Sequence, residues 1–130
     1  MLVADTNTIA YTVVGSPYSD AASEILRQDS DWATPLVWRS ELANVLSLYV
    51  RRNALSLSEA LQAQSLAQAI IDDREYEVPS AEVLALACES GASAYDCEFV
   101  VLARQMDCPV ITMDRKLART FPGDVKLLVE

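Results

Sequence analysis

Residues 109–121 read PVITMDRKLARTF. Pro109 to Met113 is a short apolar run of the kind that forms a strand buried on both faces. It stops at Asp114, and Arg115 to Phe121 then has the composition of a short helix. A buried strand passing through one aspartate into a helix is half of a parallel β-α-β unit. The chain opens in the same way. In MLVADTNTIA (residues 1–10), Met1 to Ala4 reads as a strand, and Asp5 stands where it leaves the sheet, turning or capping the chain into Thr6-Asn7-Thr8.

Between these two stretches the pattern alternates. Tyr18 to Gln28 carries Ala22, Ile25 and Leu26 at helical spacing, after a turn containing Gly15 and Pro17. Trp32-Ala33 reads as a short strand, with Thr34-Pro35 as N-cap and first residue of the next helix. That helix lines up Trp38, Leu42, Val45, Leu46 and Tyr49 and ends near Arg51-Arg52-Asn53. Ser56 to Glu59 is a capping box for a helix reaching Ile71. Tyr76 to Val78 is a predicted strand and Ser80 to Glu89 a helix closed by Gly91. Ser93 starts a helix with Tyr95, Phe99, Leu102 and Met106 on one face, and Val125 to Val129 is a last strand. The whole predicts an α/β protein with helices on both sides of a parallel sheet, right-handed crossovers, and a site at the carboxyl ends of the strands.

With 130 residues, no repeat and no linker-like stretch, residues 1–130 read as a single domain. Hydrophobic residues make up 52% and charged residues 22%, a globular composition. No apolar run approaches the length of a membrane span and no leader pattern is present, so a cytoplasmic protein without membrane contact is expected. Three cysteines, Cys88, Cys97 and Cys108, are expected to be buried free thiols. Histidine is absent, which excludes Ser-His-Asp and Cys-His sites and the usual zinc ligand sets. The formal charge of −9 argues against nucleic-acid binding through net charge and suits a basic partner or a site that gathers acids around cations.

Chemistry must then come from carboxylates, and four are singled out by position. Asp5 and Asp114 end strands. Asp96 lies three residues into the helix begun by Ser93, where SAYD reads as a second capping box. Glu41 sits at the edge of an apolar helical stripe, with Arg39 as an ordinary partner. Singly, each has a structural explanation. Together, a doubly wound sheet brings all four to one crevice, where they repel unless neutralised. The economical neutraliser is a hard divalent ion, Mg²⁺ or Mn²⁺.

At these residues the chain resembles a known family. ADTN (4–7), SELANVL (40–46), SAYDCEFVVLA (93–103) and VITMDRKL (110–117) look like the four acidic blocks of PIN-domain ribonucleases. Length and block order look most like the VapC-type toxins of toxin–antitoxin pairs. The resemblance implies a three-layer α/β/α fold with a mainly parallel sheet. It also implies a Mg²⁺- or Mn²⁺-dependent endoribonuclease with one or two ions at Asp5, Glu41, Asp96 and Asp114. Asn7 (or Thr6) and Thr112 match the small polar positions beside the site, where they position water or phosphate. Glu98 departs from the family pattern, and the further acid that some members carry just after Asp114 is missing.

Cleavage by water is expected to leave a 5′-phosphate and a 3′-hydroxyl. Arg115, Lys116 and Arg119 form a basic group beside Asp114 suited to RNA. A small cognate antitoxin and a homodimer are the partners the resemblance implies. The alternative, from a different class, is a PIN-like RNA- or protein-binding regulatory module with weak catalysis. A phosphoreceiver domain is disfavoured because positions 50–62 hold no Asp for phosphorylation. A haloacid-dehalogenase phosphatase is disfavoured because Asn7 stands where its second Asp belongs.

Overall fold

The computed structural model describes residues 1–129. Five strands, β1 (Leu2–Ala4), β2 (Trp32–Pro35), β3 (Glu75–Tyr76), β4 (Val110–Thr112) and β5 (Val125–Leu127), form one sheet in the order β3-β2-β1-β4-β5. Every pairing is parallel, so the expectation of a mainly parallel sheet resolves to a wholly parallel one among the described residues.

Side-chain alternation along the strands divides the core in two. Leu2, Ala4, Trp32 and Ile111 face a cluster built with α1 (Thr6–Val13), α3 (Trp38–Arg51) and α4 (Leu57–Ile71). Val3, Ala33, Val110 and Val125 face the opposite cluster with α5 (Ser80–Ser90), α6 (Ala94–Met106) and α7 (Arg115–Thr120). Helix α2 (Ser19–Gln28) adds Ile25 and Leu26 to the first layer. The result is a three-layer α/β/α fold.

The chain winds outward from β1 to β2 and β3, then returns to the other side of β1 for β4 and β5. A crevice therefore opens between the carboxyl ends of β1 and β4, at the point where strand order reverses.

Local chemistry explains several helix boundaries. Ser56 accepts from the Glu59 amide at 3.0 Å while the Glu59 carboxylate accepts from the Ser56 amide at 2.9 Å, the predicted capping box. Helix α5 ends at Gly91, whose φ of 76° is left-handed. Helix α4 packs through the small residues Ala60, Ala63 and Ala67, so it lies close to its neighbours.

One helix is added and four expectations are corrected. Thr6–Val13 is a helix that periodicity leaves unassigned; Ile9 and Ala10 bury it against the sheet although threonines dominate its start. Thr34-Pro35 continues β2 rather than starting a helix, because the amides of Thr34 and Leu36 donate to Arg74 and Tyr76 of the β3 side. Pro35, with no N–H to offer, falls between those two donors. Strand β3 is Glu75–Tyr76, earlier than the predicted Tyr76–Val78. Tyr95 is 62% exposed and does not share the buried face of Phe99 and Leu102. Of the thiols only Cys97 is buried; Cys88 is exposed.

Candidate active site

The four carboxylates line one cavity of about 370 Å³ at the crevice between β1 and β4. Asp5 is the N-cap of α1: its Oδ1 accepts from the Thr8 amide at 2.9 Å. Its Oδ2 accepts from the hydroxyl of Thr112 at the end of β4. That same hydroxyl accepts from the Asp114 amide at 3.0 Å. Asp114 caps α7 through the Leu117 amide at 3.0 Å. Thr112 is wholly buried, and it joins the two strand-ending aspartates across the crevice.

Glu41 enters from the first turn of α3. It is not paired with Arg39, whose guanidinium instead grips Glu75 on β3 at 2.8 and 2.7 Å. The Trp38 indole donates to the same Glu75 carboxylate at 2.8 Å. The start of α3 is thus pinned to the edge strand, and Glu41 lies just beyond the pin. Its Oε1 accepts from the Thr6 hydroxyl at 2.8 Å.

Asp96 enters from the first turn of α6, where the Ser93 hydroxyl accepts from its amide at 3.1 Å. Only this Ser93 half of the expected capping box forms: among the described residues Asp96 makes no reciprocal bond to the Ser93 amide, so its carboxylate is left to the cavity.

Electrostatics couple these acids. Burial is the main cause that raises the pKa of Asp5, Glu41 and Asp96 above the ordinary carboxylate range. Hydrogen bonds from Thr112 and Thr8, from Thr6 and from Ser93 pull the other way. The charge of Asp96 adds to the rise at Asp5, and Asp96, Asp5 and Glu98 add to it at Glu41. Asp114 raises Asp96 and Lys116 opposes it. Among the described residues none of the four is in a salt bridge. Glu98 does not line the cavity, and its charge is felt at Glu41.

As they stand, no three of the acids are close enough to form a ready ligand set among the described residues. Their donor chemistry does fit a hard cation: oxygen only, anionic, partly buried and not ion-paired to any base.

Of the other expected residues, Thr112 and Asn7 line the cavity, Asn7 from the exposed face of α1. Arg115 does not. Lys116 lines an adjoining cavity of about 220 Å³ that shares Asp96 and Asp114. Tyr11, Phe99 and Leu117 also line the acid cavity, and no motif in the sequence marks them for it. Tyr11 follows Asn7 by one helical turn, a spacing that becomes readable only once α1 is recognised as a helix.

Over residues 2–121 the chain matches the PIN domain family. It is 33% identical over 127 residues to Ribonuclease VapC3 of Pyrobaculum aerophilum, spanning 94% of this chain and 95% of that protein. The crystal structure of PAE2754 from Pyrobaculum aerophilum aligns with a TM-score of 0.77 at 19% identity, covering 98% of this chain and 83% of that one. A toxin–antitoxin complex from Klebsiella pneumoniae aligns with a TM-score of 0.70 at 18% identity, covering 100% and 99%. The structural likenesses concern the fold, and the sequence matches extend over almost the whole chain. The chain belongs to the PIN domain family.

Proposed function

We propose that the chain is a divalent-metal-dependent endoribonuclease, the toxin of a toxin–antitoxin pair, acting as one domain over residues 1–130. The observation that carries the reading is the convergence of four carboxylates, without ion-pair partners among the described residues, on one cavity at the strand switch point. The family, and a relative named as a ribonuclease, support it.

Asp5 and Asp96 are the first direct ligands for Mg²⁺ or Mn²⁺, being short side chains at element ends, and Asp114 completes the set. One ion or two, when bound, supply an acidified water and withdraw charge from the phosphate. Thr112 fixes the carboxylate plane of Asp5 through its hydroxyl. Glu41, partly buried and with a raised pKa, orients the attacking water and accepts its proton. Asn7 presents an exposed amide at the rim that orients water or a phosphate oxygen. Arg115, outside the cavity, contacts the RNA chain at a distance from the chemistry, and Lys116 is the cation nearer to Asp96.

The test is cleavage of single-stranded RNA with Mg²⁺, Mn²⁺ or excess chelator, comparing wild type with Asp5→Asn and Asp96→Asn. Activity is expected only with metal and is expected to drop by at least about 100-fold in either variant, a loss of roughly 3 kcal/mol of transition-state stabilisation. Full activity in both variants sinks the four-acid site.

A small antitoxin that lays basic residues over the electronegative cavity is the expected partner, and a homodimer the expected assembly. Co-purification with the product of a neighbouring short reading frame, and sedimentation of the pair, test these. The absence of any three-acid ligand cluster among the described residues favours a second reading, a binding module with weak catalysis. Calorimetry with Mn²⁺ separates the two, because binding that Asp5→Asn leaves unchanged belongs to the module.

A further inference from the structure

A chain of net charge −9 must hold RNA by something other than a broad basic surface. The cavity wall offers one accessible aromatic ring. Phe99 and Leu117 are 3% and 5% exposed, so they close the cavity floor without presenting a face. Tyr11 is different: half-buried, it lines the cavity from α1, one turn beyond Asn7. Behind it stands Tyr18, 38% exposed, with ring centroids 5.3 Å apart and planes tilted by 52°. Tyr11 and Asp5 line the same cavity, and burial, followed by the charge of Asp5, raises the pKa of the Tyr11 hydroxyl.

We propose that Tyr11, buttressed by Tyr18, is a stacking platform for an unpaired base adjoining the phosphate that enters the acid cavity. This rests on the nuclease reading above. Every base has a π face, and its stacking on an aromatic side chain gains about 1–3 kcal/mol without needing any positive charge. That supplies affinity which an acidic protein otherwise lacks. It also selects for strand state: in a duplex the bases are stacked on each other, and no face is free to meet Tyr11. The division of labour is then spatial, with carboxylates and their ion on the phosphate and the Tyr11 ring on the base.

The test uses a short single-stranded oligoribonucleotide, its counterpart with every base removed (a bare ribose-phosphate chain), and the oligonucleotide annealed to its complement. Cleavage with Mn²⁺ and binding without metal, read by fluorescence anisotropy of an end-labelled strand, are followed in parallel. Wild type is expected to prefer the base-bearing single strand by about ten-fold or more in kcat/KM, through KM, over both of the others. Tyr11→Leu is expected to bring the preference for bases close to one, whatever its absolute rate, and Tyr11→Phe to keep it.

A Tyr11→Leu enzyme that prefers bases as strongly as wild type overturns the proposal, and so does a wild type with no preference. If no chain is cut but wild type binds the base-bearing strand tightly and Tyr11→Leu does not, the platform stands and the nuclease reading falls. Equal binding of both chains by wild type overturns the platform.

Discussion

The smallest unit with a consequence is the Thr112 hydroxyl. It donates to Asp5 and accepts from the Asp114 amide, so one oxygen sets the relative position of two carboxylates that are far apart in the chain. Thr112→Val keeps the shape and removes both bonds in a fully buried setting. The expected loss is about 2 kcal/mol of stability by urea denaturation, and cleavage should fall further than the loss of folded protein explains. A variant of unchanged stability would show that the bridge is dispensable. Asp5 itself is legible in the sequence as both a cap and a ligand candidate, and the structure shows how one residue serves both ends: Oδ1 caps α1 while Oδ2 faces β4. Thr112 is legible only as a small polar neighbour. Its bridging role depends on the register of β1 against β4, which no local pattern encodes.

At the scale of the element, Thr34-Pro35 is instructive. The pair has the composition of a helix start, yet ladder bonds to the β3 side hold it extended, an instance of tertiary context overriding a local preference. The placement has a cost that can be read: Thr34 Oγ1 is buried on β2 without a hydrogen-bond partner among the described residues. Thr34→Val should therefore stabilise the protein by about 1 kcal/mol in denaturant titrations; a loss would reveal a bonded partner. Gly91 sits in the left-handed region at the turn that aims α6 and hence Asp96, and the space a β-carbon would take there is open. Gly91→Ala should cost about 1 kcal/mol from backbone conformation alone, without steric clash. Helix α1 is hidden in the sequence because β-branched and hydroxyl residues mask its period, whereas α4 announces itself through a capping box.

For the whole molecule, pH and metal should act through the same groups. Asp5, Glu41 and Asp96 have pKa values above the ordinary range, so between their folded and unfolded values the folded state holds protons that the unfolded state releases. Stability contributed by these groups rises as pH falls from neutral through the raised values and levels off below the ordinary carboxylate range. Asp29, Glu59 and Glu75 are shifted downward, so their contribution is present above the ordinary range and is lost as pH falls through their depressed values. Thermal melts without metal should peak on the acid side of neutrality, and Mn²⁺ should raise the melting temperature more at neutral pH than in mild acid. Asp5→Asn should weaken both effects, and a metal-free stability that falls steadily from pH 7 to 5 would contradict the account. The fold is legible because strand-then-helix alternation is a local pattern. The gathering of the acids is legible from their places at strand ends and helix starts once a doubly wound sheet is assumed, and the family's blocks single out the same four; the crevice itself is a property of strand order, which no local pattern encodes. That strand order also governs when the site can exist. During synthesis β1 emerges first, but its flank on the crevice side stays empty until β4 has been made, and Asp5 has no Thr112 to hold it before then. A nascent chain released or stalled before Val110 carries three of the four carboxylates and no crevice, so the four acids can meet only after the second half of the sheet has been made.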